Sequence, residues 1–192
     1  MVIGIDIDDT ITNSSDIFIE YAKKYNCEND IKYKIDISKL DQMKAFGWDR
    51  NHQINFQKEN LEHILVNCSP KKNAVEIIRK LKREGNKILF ITARNNSELS
   101  NVYDITEKWL LCHNFEFDKL IVNSVSKAEE CRKSGVELFI DDSIKNCESI
   151  YKQLKIPVFM FNTRYNKYYD NSEIKRVFNW DEIYLKIKEM RG

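Results

Sequence analysis

The 192-residue chain has little punctuation, with five glycines and two prolines. No Gly-, Pro- or Ser-rich linker, repeat or low-complexity stretch divides it. One domain is therefore expected, with room for an inserted sub-domain. It also lacks an excess charge of one sign. Its 31 Lys+Arg stand against 30 Asp+Glu, a net charge of +1. That balance argues against a nucleic-acid polymer or a membrane surface as partner. No apolar run approaches the ~18–20 residues of a membrane span. The opening MVIGIDIDDT has no basic segment and reaches an acid at Asp6. No signal peptide and a cytoplasmic location are expected. Cys27, Cys68, Cys112, Cys131 and Cys147 are odd in number, widely spaced and without a CxxC. This argues against a disulfide framework or zinc ribbon and favours reduced thiols. His52, His63 and His113 show no ligand spacing. They read as ordinary surface or partly buried residues, with a ligand-facing His52 or His63 as the lesser alternative.

What is present is a core, since 42% of residues are hydrophobic. Short apolar runs at Val2–Ile7, Lys87–Ile91, Lys119–Val122, Glu137–Ile140 and Pro157–Phe161 read as strands buried on both faces. Helices are expected between them. One is capped by Ser69 with Pro70 in its first turn, carries Ala74, Ile77, Ile78 and Leu81, and ends at Gly85. A second is capped by Ser97, with Val102 and Trp109 on its apolar side. A third runs from Ser126 to Gly135. A fourth is striped by Ile144, Cys147, Ile150 and Leu154. The last covers Asp181–Met190. This alternation predicts an α/β fold with a mostly parallel, Rossmann-like sheet and helices on both faces. Residues 14–69 contain no buried strand and read as a helical insertion after the first strand.

Ligands in such sheets bind beyond the carboxyl ends of the strands. The first strand ends Asp6-Ile7-Asp8-Asp9-Thr10, and alternation puts Asp6 and Asp8 on one side. The fourth ends Asp141-Asp142. Paired carboxylates repel unless a cation lies between them or one is protonated. Hard oxygen ligands of this kind suit Mg²⁺. The plainer reading of each pair is an acidic turn or helix cap. Thr92, Ala93 and Arg94 end the second strand, where a hydroxyl and backbone N–H groups at a helix start would cradle phosphate. Thr92 could equally be a cap, and Arg94 a phosphate clamp or a solvent-facing residue. Lys127 lies in a first helical turn, where a cation is unfavourable unless an anion is near, although an ordinary surface lysine is its plainer reading.

The order Asp6-x-Asp8-x-Thr10, Thr92, Lys127, Asp141-Asp142 resembles the haloacid-dehalogenase-like hydrolases, from residue 1 to about 161. The run SPKKNAVEIIRKLKREGNKILFITAR resembles their 5'(3')-deoxyribonucleotidases. Where those carry an aromatic soon after the first motif, this chain has Ser14 and Ser15, and Phe18 is the nearest aromatic. The resemblance implies a core of residues 1–13 and 70–192 with a type-one cap at 14–69. It implies Asp6 as nucleophile, forming an aspartyl phosphate, and Asp8 as general acid and base. Like-charge crowding is a reason for Asp8 to hold a proton at first. Mg²⁺ would be bound by Asp6, the Asp8 carbonyl and Asp141 or Asp142, and phosphate by Thr92, Ala93, Arg94 and Lys127. The expected substrate is a small phosphomonoester, foremost a (deoxy)nucleoside monophosphate. Sugar phosphates, or a catalytically silent phosphate-binding member, are the alternatives. Oligomeric state is left open, a homodimer included. Phe18, Tyr21, Tyr25, Phe46 and Trp48 are candidates for a base-stacking wall, with Trp48 the pick; their other reading is the core of the insertion. Tyr165–Asn171 reads as a surface loop.

Overall fold

The structure, a computed structural model, describes residues 1–39 and 42–191. Its sheet has six parallel strands: β1 (Val2–Ile5), β2 (Lys87–Ile91), β3 (Lys119–Ile121), β4 (Leu138–Asp141), β5 (Val158–Phe161) and β6 (Lys175–Val177). Their spatial order is β3-β2-β1-β4-β5-β6. The chain builds outward from β1 to β3, then returns to β4 on the other side. A crevice opens at that reversal, beyond the carboxyl ends of β1 and β4. The edge strand β6 escaped sequence reading because it is three residues long and begins Lys-Arg.

Alternation along the strands divides the core. Ile3, Ile5, Ile88, Phe90, Leu138, Ile140, Phe159 and Phe161 face the side covered by α4 (Ala74–Arg83), α5 (Val102–Cys112) and α8 (Trp180–Glu189). Leu89, Ile91, Phe139, Val158 and Met160 face α6 (Lys127–Ser134) and α7 (Ile144–Leu154). Gly4 lies opposite Phe139, and a Cβ there would come within 2.6 Å of the ring. Glycine thus lets the largest side chain of β4 fill the space over β1. Fully burying such a ring contributes roughly 1.5–3 kcal/mol.

Ser126 caps α6, its hydroxyl accepting from the Glu129 N–H, and Gly135 closes that helix at φ 63°. Two other expected starts move. Pro70 pairs with Thr12 as an isolated antiparallel bridge, and α4 begins only after Asn73, at φ 62°. Ser97 binds Asn95 in a turn, and α5 begins after Asn101, at φ 58°. In both places a local turn with a left-handed asparagine displaces the sequence-predicted cap.

Residues after β1 form α1 (Ser14–Glu28), α2 (Gln42–Phe46) and α3 (Arg50–Asn67). They build an apolar cluster of their own from Ala22, Tyr25, Ala45, Phe46, Trp48, Phe56 and Ile64. The segments leading in and out run side by side: the Asn13 N–H bonds the Ser69 carbonyl at 2.9 Å and the Lys71 N–H the Ile11 carbonyl at 2.8 Å. Among the described residues, no helix is long and apolar enough to cross a membrane. All five cysteines are free thiols.

Candidate active site

Strand register brings the acidic ends together. Ile5 pairs with Ile140, and the next N–H, that of Asp6, donates to the Ile140 carbonyl at 2.9 Å. Asp6 and Asp141 therefore emerge side by side. Both lie on the α6 face, where Lys127 meets them. Its ammonium bonds Asp6 Oδ1 and, at 2.8 Å, Asp141 Oδ2. These carboxylates are the anions that a lysine in a first helical turn requires. Burial works against the charge of Lys127, but Asp141 and Asp6 outweigh it and raise its pKa.

Asp141 is well supplied with donors. Besides Lys127, it accepts the Ser143 N–H at 2.7 Å and the Asn146 amide at 3.1 Å. Asp142 is not. Its carboxylate receives the Thr10 hydroxyl at 3.2 Å and the Tyr165 hydroxyl, and makes no ion pair among the described residues. Burial, then Asp141, Asp6 and Asp9, raise its pKa well above the ordinary carboxylate value. Asp6 is pushed up to about 7, first by burial and then, against Lys127, by Asp141 and Asp8. Asp6, Asp141 and Asp142 offer carboxylate oxygens within 4.8 Å of one another. Buried, oxygen-only and short of positive charge, this donor set fits a hard divalent cation.

Asp8 differs from expectation. Arg94 Nε donates to its Oδ2 at 2.8 Å and Nη2 to its Oδ1 at 2.7 Å, while Nη1 reaches Thr106 Oγ1 at 3.3 Å. Burial opposes the charge of Asp8, but Arg94 overrides it and holds the pKa below the usual value. The crowding argument for a proton on Asp8 is thus corrected: the crowding falls on Asp6 and Asp142. Arg94 is buried, so the solvent-facing reading is corrected as well. Nor does a helix start after Thr92. The Arg94 N–H is taken by Thr92 Oγ1 at 3.2 Å, and α5 begins only at Val102.

Asp9 follows the plainer reading of the acidic turn. At φ 56° its carboxylate accepts the Ser15 N–H at 2.9 Å and the Ser14 and Ser15 hydroxyls, and so caps α1. Ser14 and Ser15 are in this way bound into the acidic turn.

A cavity of about 480 Å³ lies over these groups. Asp6, Asp8, Thr92, Ala93, Arg94, Lys127 and Asp142 all line it. Asp141 sits behind them, fully buried. The wall from the α1–α3 segment is largely apolar, with Phe18, Ile19, Phe46, Leu61 and Ile64, and also carries Ser14, Ser15 and Lys39. Trp48 is not part of it. Its indole N–H donates to Asn26 Oδ1 at 2.5 Å, and its ring packs on Tyr25, Phe46 and Phe56. The choice of Trp48 is therefore corrected in favour of Phe18 and Phe46. Tyr21, Tyr25, His52 and His63 also lie outside the lining. The surface-loop reading of Tyr165–Asn171 fails at its start: Tyr165 lines the cavity and Asn166 is buried. Sequence reasoning missed Asn146, Tyr165 and Asn166. The available signal was their position just beyond the carboxyl ends of β4 and β5.

No protein-family model matches the chain. It is 30% identical over 182 residues to the Bacillus subtilis protein named "Putative nucleotidase YqfW", across 94% of this chain and 90% of that one. Two of the solved structures that share the fold serve as examples. One is a haloacid dehalogenase-like family hydrolase from Streptococcus pneumoniae, with a TM-score of 0.69 and 12% identity over 100% of this chain and 98% of that one. The other, from Clostridium acetobutylicum, is described as a predicted phosphatase, with a TM-score of 0.71 and 16% identity over 98% of each chain. With 30% identity across most of both chains, the chain belongs to the family of the bacterial protein named a putative nucleotidase, and its sheet order and solved neighbours give it the fold of the haloacid-dehalogenase-like hydrolases.

Proposed function

We propose that the protein is a Mg²⁺-dependent phosphatase of small phosphomonoesters, foremost nucleoside monophosphates, acting through a phosphorylated Asp6. The observation that carries this reading is the buried group Asp6, Lys127, Asp141 and Asp142 beneath an apolar-walled cavity. Residues 14–69 serve as the cap over a core of 1–13 and 70–192.

Asp6 and Asp142 hold the cation, with the Asp8 carbonyl. Asp141, already committed to Lys127, Ser143 and Asn146, supports them from behind. When bound, Mg²⁺ neutralises charge between the carboxylates and the incoming phosphate. Lys127 and the Thr92 hydroxyl hold phosphoryl oxygens. The Asp6 carboxylate attacks phosphorus, a new P–O bond forms, and the bond to the leaving alkoxide breaks. Asp8 gives that alkoxide a proton and later takes one from the water that attacks phosphorus; the bond between phosphorus and Asp6 then breaks, inorganic phosphate leaves and Asp6 is free again. Arg94 aims the Asp8 carboxyl. A phosphate dianion arriving beside Asp8 competes for Arg94 and raises the affinity of Asp8 for the proton it must carry.

Leaving-group choice falls to Phe18 and Phe46 with the aliphatic wall, which favours a flat base over a hexose. Cap placement and the balanced surface charge favour small substrates over polymers. A phosphomonoester panel tests this: nucleoside monophosphates should be turned over with Mg²⁺, not in excess EDTA, and in preference to hexose phosphates. Equal turnover of hexose phosphates would remove the nucleotidase reading. Full activity in EDTA would remove the metal.

A further inference from the structure

The loop between β5 and β6 plays no part in the chemistry above, yet it grips the acidic end of the site twice. Asn166 is 1% exposed, and its amide donates to the carbonyls of Asp142 and Phe161, both at 2.8 Å. Its own oxygen accepts the Thr163 N–H at 2.9 Å and Arg176 Nη1 at 3.0 Å. Arg176 stands on β6 and also donates to the Asn166 and Tyr169 carbonyls. The edge strand thereby fixes the loop, and the loop fixes the backbone of Asp142.

Tyr165 is carried on this frame. Its hydroxyl contacts Asp142 Oδ2 and lies 3.0 Å from Asp9 Oδ2. A phenol has one proton for these two carboxylates. It donates to one of them at a time, and a neutral O–H removes charge from neither, so it orients the carboxylate and leaves the charge for a cation. The other donor to the Asp142 carboxylate among the described residues is Thr10, at 3.2 Å on Oδ1. Without the phenol, Asp142 would turn about that one contact.

We infer that Tyr165 is a positioning residue for the cation, holding Asp142 in its binding orientation from the β5–β6 loop. This rests on the proposal that Asp142 is a metal ligand. Hydrogen-bond partners of metal ligands fix ligand orientation, and their loss typically costs about 10–100-fold in affinity.

The test is direct binding of Mn²⁺ to the full-length protein, read from the loss of its free-ion EPR signal, with no substrate present. Tyr165→Phe keeps the ring and removes only the hydroxyl. It should weaken Mn²⁺ binding by about 10–100-fold. Tyr168→Phe, in the same loop but 88% exposed, should bind as wild type. Asp142→Asn should lose binding outright. If Tyr165→Phe binds like wild type while Asp142→Asn does not, the positioning role is wrong and the metal site stands. If Asp142→Asn binds like wild type, the metal assignment itself falls, and the role of Tyr165 with it.

Discussion

Arg94 and Asp8 form a two-point ion pair at 2.8 and 2.7 Å, although they lie 86 residues apart in sequence. The guanidinium is buried, and the carboxyl keeps 38% of its exposure, so the pair faces the cavity from one side only. Its geometry suits aiming: both Asp8 oxygens are held by the fork. Lysine cannot reproduce that fork. Arg94→Lys should therefore lower kcat for a nucleoside monophosphate on the order of 10-fold or more, by misplacing the acid. p-Nitrophenyl phosphate, whose leaving group needs little protonation, should lose much less. Equal losses in steady-state assays of both would make Arg94 a plain phosphate binder.

The raised pKa values of Asp6 and Asp142 bear on stability. The folded form holds protons on these carboxylates that the unfolded chain, with values near 4, has released. Their stabilising contribution is present below about pH 4 and lost as pH rises through about 7 for Asp6. Asp8 runs the other way: its contribution is present above the unfolded value and lost in acid. A cation bound there as proposed would compete with the protons on Asp6 and Asp142. The rise in Tm on adding Mg²⁺ should therefore be larger at pH 8 than at pH 5. Scanning calorimetry with and without Mg²⁺ at both pH values checks this, and an equal rise at both would contradict it.

Two aromatics of the insertion should separate cleanly. Phe18 lines the cavity, whereas Trp48 is 5% exposed within its own cluster. Phe18→Ala should raise KM for a nucleoside monophosphate by about 10–100-fold, the scale of one stacked base. It should change KM for glycerol phosphate little. Trp48→Ala should instead cost about 3–5 kcal/mol of stability. Kinetics and thermal melts on both variants decide it; a selective KM effect at Trp48 alone would reverse the assignment.

Much of this site is written locally. Asp6, Thr92 and Asp141 end short apolar runs that read as strands buried on both faces, and parallel order then gathers their carboxyl ends. Lys127 was hinted at by a cation in a first helical turn, and its role came only from the order of the motifs. The partners were not legible. Whether Asp8 meets Arg94 depends on how the turn after β2 folds, and that turn held no helix start. Trp48 looked free beside Gly47, yet three helices close over it. Tyr165 stands in a polar stretch whose neighbour Tyr168 is indeed exposed. Only the anchoring of Asn166 by Arg176, on a strand too short to show as a pattern, turns it inward.

In the proposed mechanism a phosphoryl group is held on Asp6 and released with the help of Asp8. Asp8→Asn removes the acid for the first step and the base for the second. With p-nitrophenyl phosphate the first step should survive, because the leaving group is good, while the second slows on the order of 10²–10⁴-fold. Rapid-quench measurement of this variant with Mg²⁺ should show a burst of about one p-nitrophenol per enzyme, the expected stoichiometry of a covalent intermediate. Borohydride reduction of the quenched protein, followed by peptide mass spectrometry, should then find Asp6 converted to homoserine. No burst, and no modified Asp6 in a folded Asp8→Asn protein, would contradict the account.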